Sequence, residues 1–252
     1  MNRERPNIVA DLLSLSHEFG QRGLVILGEG NVSARLDDST FLVKASGTSL
    51  GTLVEANLTE CRFDRLLSFF DDKPLSDTEV EAALLTSRAD PGALKPSVET
   101  FFHAFLLSLP DVRFVGHTHP IAVNQILCSS HAGDFSRQRQ CPDEVVCCGP
   151  VSLLIPYVDP GLALARRVRD DLGSFQQRYG KLPRVILLEN HGVITVGSSV
   201  QAVRAAMLMT VKAAEIYVGA QLLGGIAHLP EIEVTRIESR LDEEYRRKML
   251  QI

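Results

Sequence analysis

Short apolar runs separated by tight polar turns are the feature that most limits the folds open to this chain. Residues 25–27, 32–36 and 41–45 form three such runs in close succession. The Gly, Asn and Asp residues between them are typical of strands joined by hairpins. Because helical patterns alternate with further runs, we predict one α/β domain over residues 1–252. Strands this short and hairpin-like argue against a doubly wound parallel sheet.

Apolar residues at three- and four-residue spacing predict the helices. They cover residues 6–20, 76–88, 96–110, 122–128, 161–179 and 199–222, and Ser76 with Glu79 fits a capping box. Further strands are expected at 61–69, before a turn at 71–74, and at 112–119, 151–156 and in a hairpin at 185–197. The segment 231–251 reads as one charged helix, so we expect residues 226–252 to be peripheral.

Composition excludes several classes of protein. Hydrophobic residues make up 45% of the 252 residues, which suits a globular chain with a substantial core. A net charge of −5 without basic clusters argues against nucleic-acid binding. No apolar stretch approaches the roughly 18 residues of a membrane span, and the polar N-terminus lacks a signal-type block. Five cysteines without a regular framework favour reduced, inert thiols over metal ligands, so a cytoplasmic location is expected.

Two histidines end one of the predicted strands. His117 and His119 follow the apolar run 112–116, and residues two apart on a strand share a face, so both imidazoles can converge on one ion. His191 occupies the turn of the 185–197 hairpin. Taken alone it fits a hydrogen-bonded core histidine as well as a ligand. The three together, with Glu99 upstream, favour a site for zinc or another divalent metal.

Three small, donor-rich turns precede these histidines. The first contains Gly30 and Asn31, the second Ser46 and Gly47, and the third Ser97 at a predicted helix start. Backbone N–H groups in such turns and at helix N-termini bind anions. Each turn by itself fits a purely structural role, with Ser97 as a helix cap. Together they indicate a phosphate pocket beside the metal site.

Glu99 and His103 lie four residues apart, so they share one face of the predicted helix. Glu99 can serve as a metal ligand or as a base once it has left the metal. His103 is interpreted as a hydrogen-bonding support for this region rather than as a ligand.

Five ordered motifs in this chain resemble the class II aldolase/adducin family. They are Gly30-Asn31-Val32-Ser33, Ser46-Gly47, Lys95-Pro96-Ser97-Val98-Glu99 with His103, His117-Thr118-His119-Pro120 and Asn190-His191-Gly192. The resemblance covers roughly residues 5–225. It implies a three-layer α/β/α fold on a mixed, largely antiparallel sheet, and a homotetramer with active sites at subunit interfaces.

The resemblance also implies roles for individual residues. His117, His119 and His191 would hold Zn²⁺, and Glu99 would be both a ligand and the catalytic acid/base. Gly30, Asn31, Ser46, Gly47 and Ser97 would bind the phosphate of a small-molecule sugar phosphate. The implied reaction is aldol cleavage of a ketose 1-phosphate to dihydroxyacetone phosphate and a small aldehyde through a zinc-stabilised enediolate. Residues 43–47 and 155–161 are most similar to the rhamnulose-phosphate aldolase branch.

The chain departs from the family's sugar-phosphate aldolases at two points. Val98 stands where they have a second phosphate-binding serine, and residues 120–150 contain no tyrosine to match their second acid. His131 or Tyr157 is a candidate replacement. A decarboxylase, dehydratase or 4-epimerase acting on a related sugar phosphate or sugar acid therefore stays open, although the epimerase usually has Asp in place of Glu99. A non-catalytic adducin-like interaction module is disfavoured because all three histidines are present.

Overall fold

The structure, a computed structural model, describes residues 5–71 and 75–252. The chain divides into two compact units. The first contains the described residues up to Thr118 together with Val158–Asp170, and the second contains His119–Tyr157 and Asp171–Ile252. The expectation that residues 1–252 form one domain stays a prediction.

The first unit contains an antiparallel set of four strands in the order β3-β2-β1-β4. The strands are Asn31–Arg35 (β1), Thr40–Lys44 (β2), Leu58–Arg62 (β3) and Phe114–Thr118 (β4). The helices are Arg5–Gln21 (α1), Phe63–Leu67 (α2), Asp77–Thr86 (α3) and Thr100–Ser108 (α4). β1 pairs with β4 in a register that sets Asn31 opposite His117. This register brings two predicted site residues onto neighbouring strands.

The second unit contains three strands and the remaining helices. The helices are Ile121–Leu127 (α5), Ala132–Arg137 (α6), Pro142–Cys148 (α7), Leu162–Tyr179 (α8, whose first residues belong to the first unit), Val200–Leu222 (α9), Glu231–Glu238 (α10) and Leu241–Leu250 (α11). The strands are Leu153–Ile155 (β5), Val185–Leu188 (β6) and Gly192–Gly197 (β7). β6 runs parallel to β5 and antiparallel to β7. The predicted 185–197 hairpin is confirmed.

The predicted fold class is confirmed. The described strands are mixed but largely antiparallel, since every pairing given for the first unit is antiparallel and in the second unit only β5 with β6 is parallel, and each unit also contains the helices given above. The capping box is also present, since Ser76 Oγ accepts a hydrogen bond from Glu79 N and the Glu79 side chain accepts one from Ser76 N.

Helix α1 shows why the apolar spacing predicted helices well. Leu12, Leu15 and Phe19 are completely buried, and they fall on one face of the helix. Burying each such side chain contributes roughly 1.5–3 kcal/mol to folding. The structure therefore agrees with the helix predicted at 6–20 to within a residue at each end.

Three predicted elements are wrong. Residues 25–27 form a turn, because Leu27 adopts a left-handed φ of 54° and the Ile26 carbonyl accepts a hydrogen bond from Glu29 N. The strand predicted at 61–69 is β3 followed directly by helix α2. The single C-terminal helix is two helices, because Arg240 between α10 and α11 is extended (φ −68°, ψ 134°).

The C-terminal segment is peripheral only in part. Val234 and Ile237 of α10 are buried against Val145 and Val146 of α7, whereas α11 has no buried residue. Residues 72–74 of the turn predicted at 71–74 lie outside the described residues. No helix among the described residues is long and apolar enough to cross a membrane.

Candidate functional site

Glu99 stands at the N-cap of α4, buried next to strand β1. Its Oε2 accepts a hydrogen bond of 2.7 Å from Nδ2 of Asn31, which begins β1. The same oxygen lies 3.5 Å from Nε2 of His117 on β4. The first unit thus brings the predicted acid/base, one predicted metal ligand and one predicted phosphate ligand together around a single carboxylate oxygen.

His103 supports this group from one helical turn further along α4. It is completely buried, and burial lowers the pKa of its imidazole to about 3, so the ring is neutral. Its Nε2 hydrogen-bonds Oδ1 of Asn31, and its Nδ1 lies 2.6 Å from Oγ of Ser33. The Phe102 ring stacks on the His103 ring and meets the His117 ring edge-on, with centroids 4.5 and 5.6 Å away. The prediction that His103 supports the region by hydrogen bonding is confirmed.

Gly30 lets the backbone of β1 begin close to β4. Its φ of +64° lies in the left-handed region, which residues with a Cβ rarely adopt. A Cβ at this position would lie 2.6 Å from the carbonyl oxygen of His117 and 2.7 Å from Cγ1 of Val25. Glycine is therefore required for the register that places Asn31 opposite His117.

The three predicted anion-binding turns lie next to one another in the first unit. A Cβ on Gly28 would lie 3.9 Å from Cα of Gly47, so the first and second turns are neighbours. Ser46 N donates a hydrogen bond of 2.9 Å to the Lys95 carbonyl, which joins the second turn to the third. Ser46 and Gly47 are exposed, and Ser97 is half-buried. Backbone contacts therefore hold the three turns side by side, and their role in binding an anion stays a prediction.

Ser97 does not stand at the helix start that the sequence predicted. Helix α4 begins at Thr100, and the segment before it is held by a bridge between Pro96 and Ala45. Ser97 Oγ accepts a hydrogen bond of 3.3 Å from Glu99 N. The bridge is consistent with the shift, because it pairs the chain at Pro96 with Ala45 before the helix begins. Ser97 caps the turn containing Glu99 instead.

Val98 is partly exposed and packs toward the turn before α8. A Cβ on Gly161 would lie 3.0 Å from Cγ2 of Val98, and Gly161 has a φ of +116°. Val98 is 38% exposed, so its apolar branch faces the surface where the family's aldolases carry a hydroxyl. The position offers no hydrogen-bond donor from its side chain.

Lys44 was not singled out from the sequence. Its side chain is buried at the end of β2, where Nζ donates to the Gly28 carbonyl at 3.1 Å and to the Thr48 carbonyl at 2.7 Å. Burial lowers the pKa of Lys44 to about 8, partly offset by the charge of Glu99. The ammonium thus links the first two turns through these hydrogen bonds and places a positive charge next to both. The sequence feature that could have identified Lys44 is its place directly after the apolar run Phe41-Leu42-Val43.

In the second unit, a tight turn presents His191. Asn190 adopts a left-handed φ of 56°, and His191 N donates to the Leu188 carbonyl at 3.1 Å, so the β6–β7 hairpin closes at this residue. Nδ2 of Asn124 on α5 donates to the His191 carbonyl at 3.0 Å. The imidazoles of His119 and His191 lie 5.0 Å apart between centroids.

His117, His119 and His191 form a group of histidines that could hold a metal ion. Three imidazoles are a donor set that suits a borderline divalent metal. Their assignment as ligands of one ion stays a prediction.

The two candidate replacements for the family's tyrosine have different surroundings. Tyr157 is 55% exposed. His131 lies at the start of α6, with Nδ1 3.3 Å from the hydroxyl of Tyr217, which in turn donates to Asp134 Oδ2 at 3.1 Å. Both assignments stay predictions.

Family comparison agrees with the motifs. Residues 10–218 match the model of the Class II Aldolase and Adducin N-terminal domain, which is most of the chain. This protein belongs to the class II aldolase and adducin family.

Individual relatives carry different names. Over 222 residues the chain is 25% identical to the uncharacterized oxidoreductase YuxG of Bacillus subtilis, covering 84% of this chain but only 30% of YuxG. Over 189 residues it is 29% identical to the 3-oxo-tetronate 4-phosphate decarboxylase of Haemophilus influenzae, covering 74% of this chain and 75% of the relative. A solved L-fuculose 1-phosphate aldolase is 14% identical with a TM-score of 0.70, over 95% of this chain and 96% of that one. This last likeness concerns the fold.

Proposed function

We propose that this protein is a metal-dependent lyase that breaks a carbon–carbon bond and leaves the enediolate of dihydroxyacetone phosphate. The observation that carries the proposal is the position of Glu99, whose Oε2 is held 2.7 Å from Asn31 Nδ2 and 3.5 Å from His117 Nε2. A carboxylate beside a histidine cluster of this kind can move a proton where a carbonyl is polarised. The first form of the proposal is aldol cleavage of a ketose 1-phosphate.

His117, His119 and His191 would hold the metal, which we propose to be Zn²⁺, with Glu99 in or next to its coordination sphere. When bound, the metal supplies a Lewis acid that polarises the substrate carbonyl. Asn31 keeps Glu99 on the side of His117, so the carboxylate stays beside the reacting carbons rather than turning away.

Glu99 would transfer the proton. In aldol cleavage it takes the proton from the C4 hydroxyl, the C3–C4 bond breaks, C4 leaves as the aldehyde carbon, and the electron pair of the broken bond stays in the enediolate. The same proton then passes from Glu99 to the enediolate carbon, which completes dihydroxyacetone phosphate.

The grouped turns would bind the phosphate. Gly30 and Asn31, Ser46 and Gly47, and Ser97 offer backbone and side-chain donors around one place, and the Lys44 ammonium lies beneath two of these turns. Such backbone-rich pockets favour a dianion. A phosphorylated substrate is therefore proposed, with one donor fewer at Val98.

Decarboxylation of a 3-oxo acid phosphate is the second candidate, and two observations favour it. The match to the relative named 3-oxo-tetronate 4-phosphate decarboxylase covers 75% of that relative's length. Residues 120–150 hold no tyrosine. Loss of CO₂ from that substrate leaves the same enediolate, and no hydroxyl proton has to be removed. Glu99 would then only deliver a solvent-derived proton to carbon.

A substrate screen separates the two forms. The purified protein, with its metal content measured, is offered a panel of ketose 1-phosphates and 3-oxo-tetronate 4-phosphate. Dihydroxyacetone phosphate, aldehyde and CO₂ are assayed separately. Dihydroxyacetone phosphate with an aldehyde supports aldol cleavage, and with CO₂ it supports decarboxylation. A metal-loaded protein that forms neither, or that instead dehydrates or epimerises its substrate, overturns the proposal.

We also propose a cytoplasmic homotetramer with active sites completed at subunit interfaces. All five cysteines are free thiols, and burial raises the pKa of Cys61 and Cys148 to about 12, which suits inert thiols in a reducing compartment. Light scattering at several concentrations tests the assembly. A monomer with full activity would contradict it.

A further inference from the structure

A chain of buried hydrogen bonds runs from Ser33 through His103 and Asn31 to Glu99, and its first two members, Ser33 and His103, have no part in the proposed reaction. Asn31 and Ser33 are two residues apart on β1, and Glu99 and His103 are four apart at the start of α4, so each pair presents one face to the other. Ser33 and His103 are completely buried, and Asn31 and Glu99 nearly so.

The direction of every hydrogen bond in this chain is determined. An ionised carboxylate only accepts, so the Asn31 amide must turn its Nδ2 toward Glu99, as observed at 2.7 Å. Its Oδ1, which only accepts, then faces Nε2 of His103, and that nitrogen must carry a hydrogen. Because the buried ring is neutral, its Nδ1 has none and accepts from the hydroxyl of Ser33 at 2.6 Å.

The direction of these hydrogen bonds matters because an asparagine side chain can otherwise rotate so that its amide oxygen and nitrogen exchange places. A turned amide would put Oδ1 against the Glu99 carboxylate, where two acceptors repel, and would put Nδ2 against the donating Nε2 of His103. The Ser33 hydroxyl donates to Nδ1 and so supports the tautomer with its hydrogen on Nε2, and that Nε2–H fixes the amide of Asn31. The amide then fixes the side-chain position of Glu99.

We propose that His103, supported by the hydroxyl of Ser33, is a positioning residue for Glu99. It touches neither substrate nor metal and acts only through Asn31. The inference rests on the proposed function, since it assigns to His103 a role in the proton transfer by Glu99. Loss of this positioning lowers the rate of proton transfer, whereas binding of metal and phosphate is retained. A displacement of about 1 Å at a reacting group costs roughly 10²-fold in rate.

A matched pair of variants tests the proposal. In His103→Gln the side-chain amide can place its N–H where Nε2–H stands and still donate to Asn31. In His103→Asn the shorter amide reaches only the position of Nδ1 and cannot. Both replace the ring with a smaller polar group, so they share the loss of packing against Phe102.

The assay is exchange of a carbon-bound hydrogen of dihydroxyacetone phosphate with deuterium from D₂O, followed by proton NMR on the metal-loaded enzyme. We expect the exchange rate constant at saturation to fall at least tenfold further in His103→Asn than in His103→Gln, with metal content and the half-saturating concentration unchanged. Ser33→Thr, which keeps the hydroxyl, should exchange faster than Ser33→Ala. Equal rates within both pairs would overturn the proposal.

A measurement without turnover completes the test. Nitrogen-15 NMR of the imidazoles should show His103 protonated on Nε2 alone through neutral pH, and Ser33→Ala should broaden or shift that signal. A ring protonated on Nδ1, or on both nitrogens, overturns the proposal. If Glu99→Gln leaves exchange intact, the proposed function fails instead. If Glu99→Gln abolishes exchange and the His103 pair does not differ, only the positioning role fails.

Discussion

Replacing Gly30 by alanine tests whether the approach of β1 to β4 holds the site together. The new Cβ would lie 2.6 Å from the His117 carbonyl oxygen and 2.7 Å from Val25 Cγ1, both well inside contact distance. The left-handed φ of +64° costs a residue with a Cβ roughly 1–2 kcal/mol. Relieving the two clashes costs roughly 1–3 kcal/mol more. We therefore expect the free energy of unfolding to fall by roughly 2–5 kcal/mol.

Gly47→Ala is the matched control. Gly47 has a φ of +74°, but a Cβ there would meet nothing within 4 Å, so this variant carries only the backbone cost of roughly 1–2 kcal/mol. Urea unfolding of the two variants, with metal content measured in parallel, isolates the effect of the clash. Gly30→Ala should also lose metal affinity, because the strand that bears His117 must move. Equal destabilisation by the two substitutions, with metal retained in both, would refute the reasoning.

Three further predictions concern single side chains. His119→Ala should abolish metal retention on dialysis, because two imidazoles remain; metal analysis showing wild-type stoichiometry would contradict the triad. Val98→Ser should tighten binding of phosphate-bearing ligands, measured by calorimetry, and unchanged affinity would remove position 98 from the anion site. For Lys44, the folded-state pKa of about 8 lies below the ordinary lysine pKa of 10.5, so from about pH 8 to 10.5 the unfolded chain binds more protons. The free energy of unfolding should therefore increase as the pH rises through that window. In parallel urea titrations, Lys44→Met should lack this increase.

Local patterns predicted most of the fold because the elements concerned are stabilised by their own spacing. The buried face of α1, the Ser76 cap and the hairpin around His191 are encoded within a few neighbouring residues. The predictions failed where a tertiary contact decides the outcome. Leu24 and Val25 are buried, but the chain turns at Leu27, and no periodicity records that turn.

The residues of the site could be predicted from the sequence, but the hydrogen bonds that join them could not. The metal histidines and Glu99 were identified from spacing and family motifs, and within the first unit the structure sets Glu99 Oε2 3.5 Å from His117 Nε2. The link from Ser33 through His103 to Asn31 joins residues about 70 positions apart, so it depends on how α4 packs on β1. Lys44 was missed for the same reason, since its two carbonyl partners belong to turns before and after it.

The central claim is that Glu99 moves the proton of a metal-bound active site, and Glu99→Gln tests it most directly. Metal content and deuterium exchange into dihydroxyacetone phosphate are measured on the same preparation. The glutamine can still meet Asn31 but cannot take up a proton, so we expect metal to stay bound and exchange to fall by about 10²–10⁴-fold. Wild-type exchange in a variant that keeps its metal would contradict the account. So would lost exchange that returns in full with excess zinc, because Glu99 would then act only as a ligand.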